Sequence, residues 1–466
     1  MSVLPSDRPT RVRLGVLAMV CALSMVTYLD RACFGMAAPS IASELGLADV
    51  AELKWAMTSF AIAYAVFEIP AGAMGDRVGP RSMLLRIVLW WSACTALTGA
   101  VGLRVGGVAL GGLGTLVTLR FLFGAGEAGA YPNITRAVHN WLPARSWETA
   151  QGMVFMSGRL MGGLTPLIWA FLVGGTAGSA GLVTWREAFL LFGGLGVVWA
   201  LVFAFWFRDR PDDHPGVNAA ERALINSEWR PRARHSSVPW RALLTNRSLW
   251  ALCVMYCSIN YGWAFNMTYL PTYIQERFGL AGGDKIGAIY KGMPLWVGAI
   301  GCLLGGLSVN GLARMLGDRR LARRTLGVVA LSTGAACWWG AIRAGNVHQF
   351  CILISLAAFT IDLTLGAAWA TCQDLGREHA AVTAACMNTI GTLGSALAGW
   401  LTGTLVERSM TAATVAAGGA LSATEKRLAV LSGYDAAFAS YLAVFILAAA
   451  CWLLIDPRKP IGASNE

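Results

Sequence analysis

The residues able to do chemistry are few, and most stand where charge is expensive. Asp30, Arg31, Glu68, Arg120, Glu127 and Arg159 fall inside apolar runs in the first half of the chain, and Asp362 does so in the second. An ionisable side chain near the centre of a bilayer costs about 2.5–3.5 kcal/mol on insertion scales, so each position asks for a reason. The residue types suggest one. A guanidinium stays protonated at every accessible pH and can grip a carboxylate through two parallel hydrogen bonds. A carboxyl group can give up its charge when removed from water, because desolvation favours the neutral form. Arg31, Arg120 and Arg159 therefore suit an anionic cargo, and Asp30 and Glu127 suit proton carriage. His139, His214, His235, His348 and His379 all sit in loops or at the ends of apolar runs, leaving the acids as the natural proton carriers.

Helical spacing groups these side chains. Tyr28 and Arg31 are three apart, Tyr64 and Glu68 four apart, and Arg120, Gly124 and Glu127 follow i, i+4, i+7, each set on one helix face. A structural reading stands beside the functional one, since an arginine near an acid can be no more than a clamp. Adjacent Asp30 and Arg31 invite that reading; Glu127, two turns from Arg120, is left partly free. Glu68 suits packing or gating as well as chemistry. Asp362 is either a second-half proton site or the partner of an arginine across the interface. Otherwise the second half offers neutral groups: Tyr261, Trp263, Asn266, Thr268 and Tyr269 just before Pro271, then Trp369 and Asn388. Aromatic faces and amides suit a hydroxylated ligand; core packing explains the same residues equally well.

The elements that carry these residues are membrane spans. The chain has 466 residues, is 56% hydrophobic and only 14% charged, against about 25% charged in ordinary soluble domains. Apolar runs long enough to cross a bilayer recur at roughly 14–38, 53–75, 83–103, 111–135, 148–173, 186–207, 247–274, 287–312, 325–343, 348–373, 380–404 and 433–455. Most of the 37 Lys and Arg residues then fall on the side holding both termini. The positive-inside rule puts that side in the cytoplasm, so the net charge of +11 reflects topology and not nucleic-acid binding. The eleven cysteines lie within the spans without Cys-x-x-Cys spacing, which suits small packing residues rather than a metal site or disulfide framework. Arg8, Arg11 and Arg13 precede the first run as in a signal peptide. Asp30 and Arg31 interrupt that run, so it reads as a retained helix.

Six spans precede a polar stretch at 208–246, with a short helix expected over Glu221–Arg230, and six follow it. The expected organisation is an N-terminal six-helix bundle over 1–207, a cytoplasmic linker over 208–246 and a C-terminal six-helix bundle over 247–466. The loop after the second span carries Gly72, Asp76, Arg77, Gly79, Pro80 and Arg81. The loop after the eighth carries Gly306, Asn310 and Arg314, then Arg319 and Arg320. That similarity suggests duplicated halves, a transporter architecture with its site at the midplane. At the membrane surface the Asp76-Arg77 motif suits a gate or latch better than cargo contact.

These motifs resemble the major facilitator superfamily, of which the Gly72-to-Arg81 loop is a signature. Tyr28-Leu29-Asp30-Arg31, Arg120-Phe-Leu-Phe-Gly124-Ala-Gly126-Glu127 and Tyr269-Leu-Pro271-Thr-Tyr273 together resemble its anion:cation symporter family, which includes galactonate, glucarate and hexuronate transporters and sialin. The resemblance implies proton coupling at Asp30 and Glu127, substrate or coupling roles for Arg31, Arg120 and Tyr64, and second-half substrate contacts at Trp369 and Asn388. Three positions depart from the sugar-acid pattern. Arg159 stands where a neutral amide is usual, Glu68 where Gln is common, and Asp362 has no equivalent. Arg159 suits a cargo of higher negative charge, such as a dicarboxylate.

The expectation is thus an all-α integral membrane protein of twelve spans, a proton-coupled symporter importing a small organic anion by alternating access. Its site would comprise Tyr28, Arg31, Tyr64, Arg120, Arg159, Trp263, Asn266, Trp369 and Asn388. It would be a multi-pass monomer of the cell (inner) membrane, needing no cofactor or metal and binding no nucleic acid. Proton-driven efflux of small molecules and a non-transporting sensor are the rival functions on the same fold. A membrane-embedded enzyme would need a catalytic dyad, metal ligands or a nucleotide site, and the sequence offers none.

Overall fold

Backbone polar groups in hydrocarbon have no water to bond, so apolar runs satisfy them internally as helices. The computed structural model describes residues 8–47, 50–105, 108–174, 181–227, 238–280 and 285–461. The first half contains α1 (Val12–Glu44), α2 (Lys54–Val78), α3 (Pro80–Thr98), α4 (Leu113–Glu127), α5 (Ala130–Trp141), α6 (Trp147–Trp169) and α7 (Trp185–Trp206). Two short helices follow, α8 (Ala219–Ile225) and α9 (Trp240–Thr245). The second half contains α10 (Arg247–Ala264), α11 (Leu270–Phe278), α12 (Lys285–Leu316), α13 (Arg319–Ile342), α14 (Val347–Gly376), α15 (Ala380–Ala417) and α16 (Ala423–Leu454). Strand pairing among the described residues is confined to a hairpin, β1 (Arg104–Val105) against β2 (Val108–Ala109).

Among the described residues, eight helical stretches are long and apolar enough to cross a membrane, one of them the continuous α14–α15 run Val347–Ala417. With α3 and two interrupted helices, α4–α5 and α10–α11, the order is consistent with the twelve expected spans. Both interruptions have local causes. Gly129, between α4 and α5, adopts φ +85, which a side chain tolerates poorly. Phe265–Tyr269 forms a π-helical turn immediately before Pro271, where the missing N–H disturbs the regular ladder.

The chain divides into two compact units, Met1–Pro239 with Cys372–Cys386, and Trp240–Thr371 with Met387–Glu466. In the first, α1 packs along α6 and α7, α2 along α4, and α3 against α7 and α4. Gly124 makes the α2–α4 approach possible, since a Cβ there would strike the Phe60 carbonyl. In the second, α10 and α13 pack on α16, and α12 on α13. Outer faces are apolar. On α7, Leu190, Leu191, Leu195, Val198, Leu201, Val202 and Phe205 are exposed, a stripe that hydrocarbon accepts and water would penalise. All eleven cysteines are free thiols.

Part of the polar stretch after α7 is built into the first unit. The buried Glu221 carboxylate of α8 accepts Arg13 Nη1 at 2.7 Å and the Val12 and Arg13 N–H groups at 3.3 and 3.2 Å, neutralising the N-terminal end of α1. The helix expected over Glu221–Arg230 instead begins at Ala219, because Asn218 Oδ1 caps the Glu221 N–H at 2.9 Å, and ends at Ile225; Arg230 lies outside the described residues, as does His235.

Candidate functional site

The first unit gathers the mid-span charges, with pairings that linear spacing did not give. Arg31 Nε donates to Glu127 Oε1 at 2.8 Å, joining α1 to α4. Glu127 is fully buried, while the Arg31 side chain keeps 33% of its surface accessible. The neighbouring Asp30 is turned away, because successive residues on a helix point about 100° apart. Asp30 is 1% exposed and neither carboxylate oxygen accepts a hydrogen bond; the Trp91 indole lies beside it. The clamp suggested by Asp30 and Arg31 therefore does not form, and Glu127, expected to be partly free, is the acid that Arg31 holds.

Arg120 is different. It is 5% exposed, and among the described residues it makes neither an ion pair nor a hydrogen bond. Aromatic faces surround it instead. Its guanidinium carbon lies 4.4 Å from the Phe34 ring centroid, 4.9 Å from Phe60 and 4.6 Å from Phe123. Arg31 approaches the same Phe60 ring at 5.8 Å and Tyr64 at 4.9 Å, so both cations flank one aromatic group. Arg159, from α6, is buried and donates from Nη1 to Tyr28 Oη at 3.1 Å. Tyr28, Asp30, Arg31, Tyr64, Arg120, Glu127 and Arg159 thus come from α1, α2, α4 and α6 of one unit.

Several neighbours escaped the sequence reading. Tyr131 bonds Ser24 Oγ at 2.9 Å and stacks on Phe155 at 5.2 Å. Phe34 and Phe123 each follow an intramembrane charge, Arg31 and Arg120, by three residues. That spacing was available as a signal, but aromatic residues in spans are too common for it to stand out.

Glu68, one turn beyond Tyr64, is fully buried beside Tyr64 and Cys386. The surface loop is organised by carboxylates. Asp76 accepts the Ala381 and Val382 N–H groups at 3.1 and 2.8 Å, placing its charge at the N-terminus of α15. Arg136 Nε lies 3.7 Å from Asp76 Oδ1, and its Nη1 donates to the Arg377 carbonyl at 3.0 Å. Gly72 faces Ala381 and Ala385 of the same segment. Arg81 does not join Asp76: its N–H donates to Asp209 Oδ1 at 2.8 Å and its guanidinium to the Ala204 carbonyl at 2.5 Å. Gly79, at φ +95, faces the Asp209 carboxylate. Burial lifts the Asp209 carboxyl above its usual range, opposed by its bonds to Arg81. Asp76, Arg77, Arg136, Asp209 and Arg210 border a polar cavity of about 280 Å³. The second unit repeats the tie: Arg320 pairs with Asp456, just past α16, at 3.0 Å, and Arg324 Nε donates to the Ile455 carbonyl at 3.1 Å.

In the second unit, Trp369 Nε1 donates to Tyr256 Oη at 3.1 Å. Asn266 is buried in the π-helical turn. The fully buried Asp362 carboxylate packs against Gly298 of α12, with Trp263 close to the same glycine. Asn388 is partly buried on α15. Tyr261 and Tyr269 turn to Ser440 and the Gly399 carbonyl, each at 2.6 Å, as packing residues do.

A bundle of long apolar helices with charges gathered inside one unit defines a polytopic membrane carrier. The chain belongs to the Major Facilitator Superfamily, whose family model matches residues 20–399. It is 32% identical over 403 residues to the probable sulfoacetate transporter SauU of Cupriavidus necator, covering 84% of this chain and 87% of the relative. It is 27% identical to the probable galactarate/D-glucarate transporter GudP of Bacillus subtilis over 84% of this chain and 86% of that one. Among solved structures, the proton:xylose symporter XylE aligns over 95% of this chain and 96% of its own, with a TM-score of 0.70 and 12% identity, a likeness of fold. The protein is accordingly a membrane transporter and not an enzyme.

Proposed function

We propose that this transporter carries a small organic anion, a sugar acid or other carboxylate or sulfonate, into the cell together with protons. The observation that carries the reading is Arg120: a permanent cation, buried at mid-span, without a carboxylate or hydrogen-bond partner among the described residues. Such a charge is stabilised when an anion arrives, and a guanidinium edge fits carboxylate and sulfonate oxygens through paired hydrogen bonds. The names of the relatives, sulfoacetate and galactarate/D-glucarate transporters, agree with a cargo of that class. Arg31 and Arg159, with Tyr28 and Tyr64, extend the cationic surface; Arg159 favours a second negative group.

Asp30 and Glu127 are the proposed proton carriers. Protonating Glu127 weakens its hold on Arg31 at 2.8 Å and frees that cation for the cargo, which ties proton uptake to anion uptake. Such coupling requires each ligand to favour one state of the carrier over the other. Asp76 acts as a latch on the start of α15, with Arg77 and Arg136 beside it. Trp369 and Asn388 are assigned to cargo contact on family resemblance, Trp263 and Asn266 on the aromatic and amide chemistry of the segment before Pro271, and Asp362 and Glu68 are additional ionisable candidates. The protein works as a monomer in the cell (inner) membrane with both termini cytoplasmic.

The test is uptake by purified protein in liposomes, using sulfoacetate, D-glucarate and a hexuronate as probes, with and without an inward proton gradient. The proposal expects one probe to accumulate above its external concentration only when the gradient is present. Accumulation indifferent to the gradient overturns proton coupling, and gradient-driven expulsion of the probe overturns import.

A further inference from the structure

Asp30 and Arg120 pose a physical puzzle. They carry opposite charges when Asp30 is ionised, both are buried, and Phe34, one turn from Asp30 on α1, lies against the Arg120 guanidinium. Yet among the described residues they form no ion pair, and neither the Asp30 oxygens nor Arg120 Nε has a hydrogen-bond partner. Coulomb attraction strengthens as the local dielectric falls, so an ionised pair of this kind should close unless something intervenes.

Three rings crowd the cation. Phe34 follows Asp30 by four residues and shares its face of α1, and its ring lies closest to the Arg120 guanidinium carbon, at 4.4 Å. Phe60 covers the cation from α2 and Phe123 from its own helix, one turn away. A planar guanidinium stacks readily on aromatic faces, and each face attracts the cation without neutralising it. Enclosed in this way, the cation keeps a fixed position and only its N–H edge can meet a partner.

Resting on the reading of Arg120 as the cargo's anchor, we propose that Phe34, supported by Phe60 and Phe123, is a positioning residue that holds Arg120 away from Asp30, so that the counter-ion of Arg120 is the cargo and not the protein's own acid. The rings thereby separate the two functions. Asp30 can exchange its proton without engaging the cation, and the cation remains ready for an incoming carboxylate or sulfonate.

The experiment is a binding cycle on the purified full chain, with sulfoacetate and D-glucarate as probes. Phe34→Leu removes the ring face while keeping an apolar side chain, and should weaken binding about tenfold as Asp30 competes for the released cation. Adding Asp30→Asn, which takes away the competing acid, should restore most of that loss, and Phe34→Tyr should bind as the native protein does. A merely structural role for Phe34 predicts no rescue by Asp30→Asn. The inference is overturned if Phe34→Leu binds normally, or if Asp30→Asn improves binding equally with and without Phe34. Should Phe34→Leu fail to fold, Phe60→Leu in the same cycle carries the same expectations. Arg120→Met separates the two levels: if it binds the probes normally, or the native protein binds neither, the anchor reading falls and this inference with it. If Arg120→Met loses binding while the ring variants keep it, only the spacer role is lost.

Discussion

Arg120→Met is the sharpest perturbation, because a structural role predicts a large loss of stability and a cargo-binding role almost none. Suppose the arginine were half of a buried clamp. Removing it would strand its partner, at a cost of about 3–5 kcal/mol. Here Arg120 has no ion-pair partner to strand among the described residues. Its burial costs about 2.5–3.5 kcal/mol on insertion scales, while each ring face, at 4.4, 4.9 and 4.6 Å, returns about 1–2 kcal/mol to a desolvated cation, less than additively because the three share one charge. The two sums roughly cancel. Methionine fills a similar volume without the charge, so the unliganded variant should stay within about 1.5 kcal/mol of the native protein. Ligand stabilisation moves the other way. At a hundredfold excess over Kd an anion adds about 2.7 kcal/mol to a native protein that binds it, and the variant should show none of this. The assay is thermal unfolding in detergent, with and without each probe anion. A marked fall in the melting temperature of unliganded Arg120→Met would show that the arginine has a structural partner, and unchanged stabilisation by the anion would show that the cargo binds elsewhere.

Three further expectations follow from named contacts. Glu127→Gln keeps an oxygen for Arg31 Nε but cannot take up and release a proton; liposomes should lose gradient-driven accumulation while retaining anion exchange, and undiminished uphill uptake would remove Glu127 from the coupling. Asp76→Asn removes a full charge from the N-terminus of α15 while leaving one oxygen for the Ala381 and Val382 N–H groups. Amide hydrogen exchange over 380–386 should quicken several-fold, consistent with a capping interaction of about 0.5–2 kcal/mol, and an unchanged rate would dismiss the latch. Gly124→Val drives a branched side chain into the Phe60 backbone, so α2 and α4 must separate. The protein should unfold at lower temperature and bind anion poorly, whereas a native melting curve would show that the contact yields without cost.

Much of the fold was legible because the bilayer leaves so little choice. Length and apolarity define the helices through the general constraint on backbone hydrogen bonding in hydrocarbon. The ionisable residues of the first half stood out for the same reason, and the structure gathers Asp30, Arg31, Arg120, Glu127 and Arg159 within one unit. Partner choice was not legible. Asp30 and Arg31 are neighbours in the chain, yet helical rotation parts them, and Glu127 pairs across to α1 and not along its own helix to Arg120. Asp76 meets amides more than three hundred positions away, and Arg81, from the same motif, serves a different contact with Asp209. Those pairings depend on how helices pack, which no local spacing encodes. The rings around Arg120 were hidden in a different way, because phenylalanine in a membrane helix is ordinary until its neighbour is known.

Whether Arg120 is held for the cargo would be seen in a structure of the protein with a transported anion bound. The prediction is a carboxylate or sulfonate oxygen within about 2.7–3.2 Å of an Arg120 guanidinium nitrogen, with Phe34, Phe60 and Phe123 still against its faces. An anion seated elsewhere, with Arg120 paired to Asp30, would contradict it.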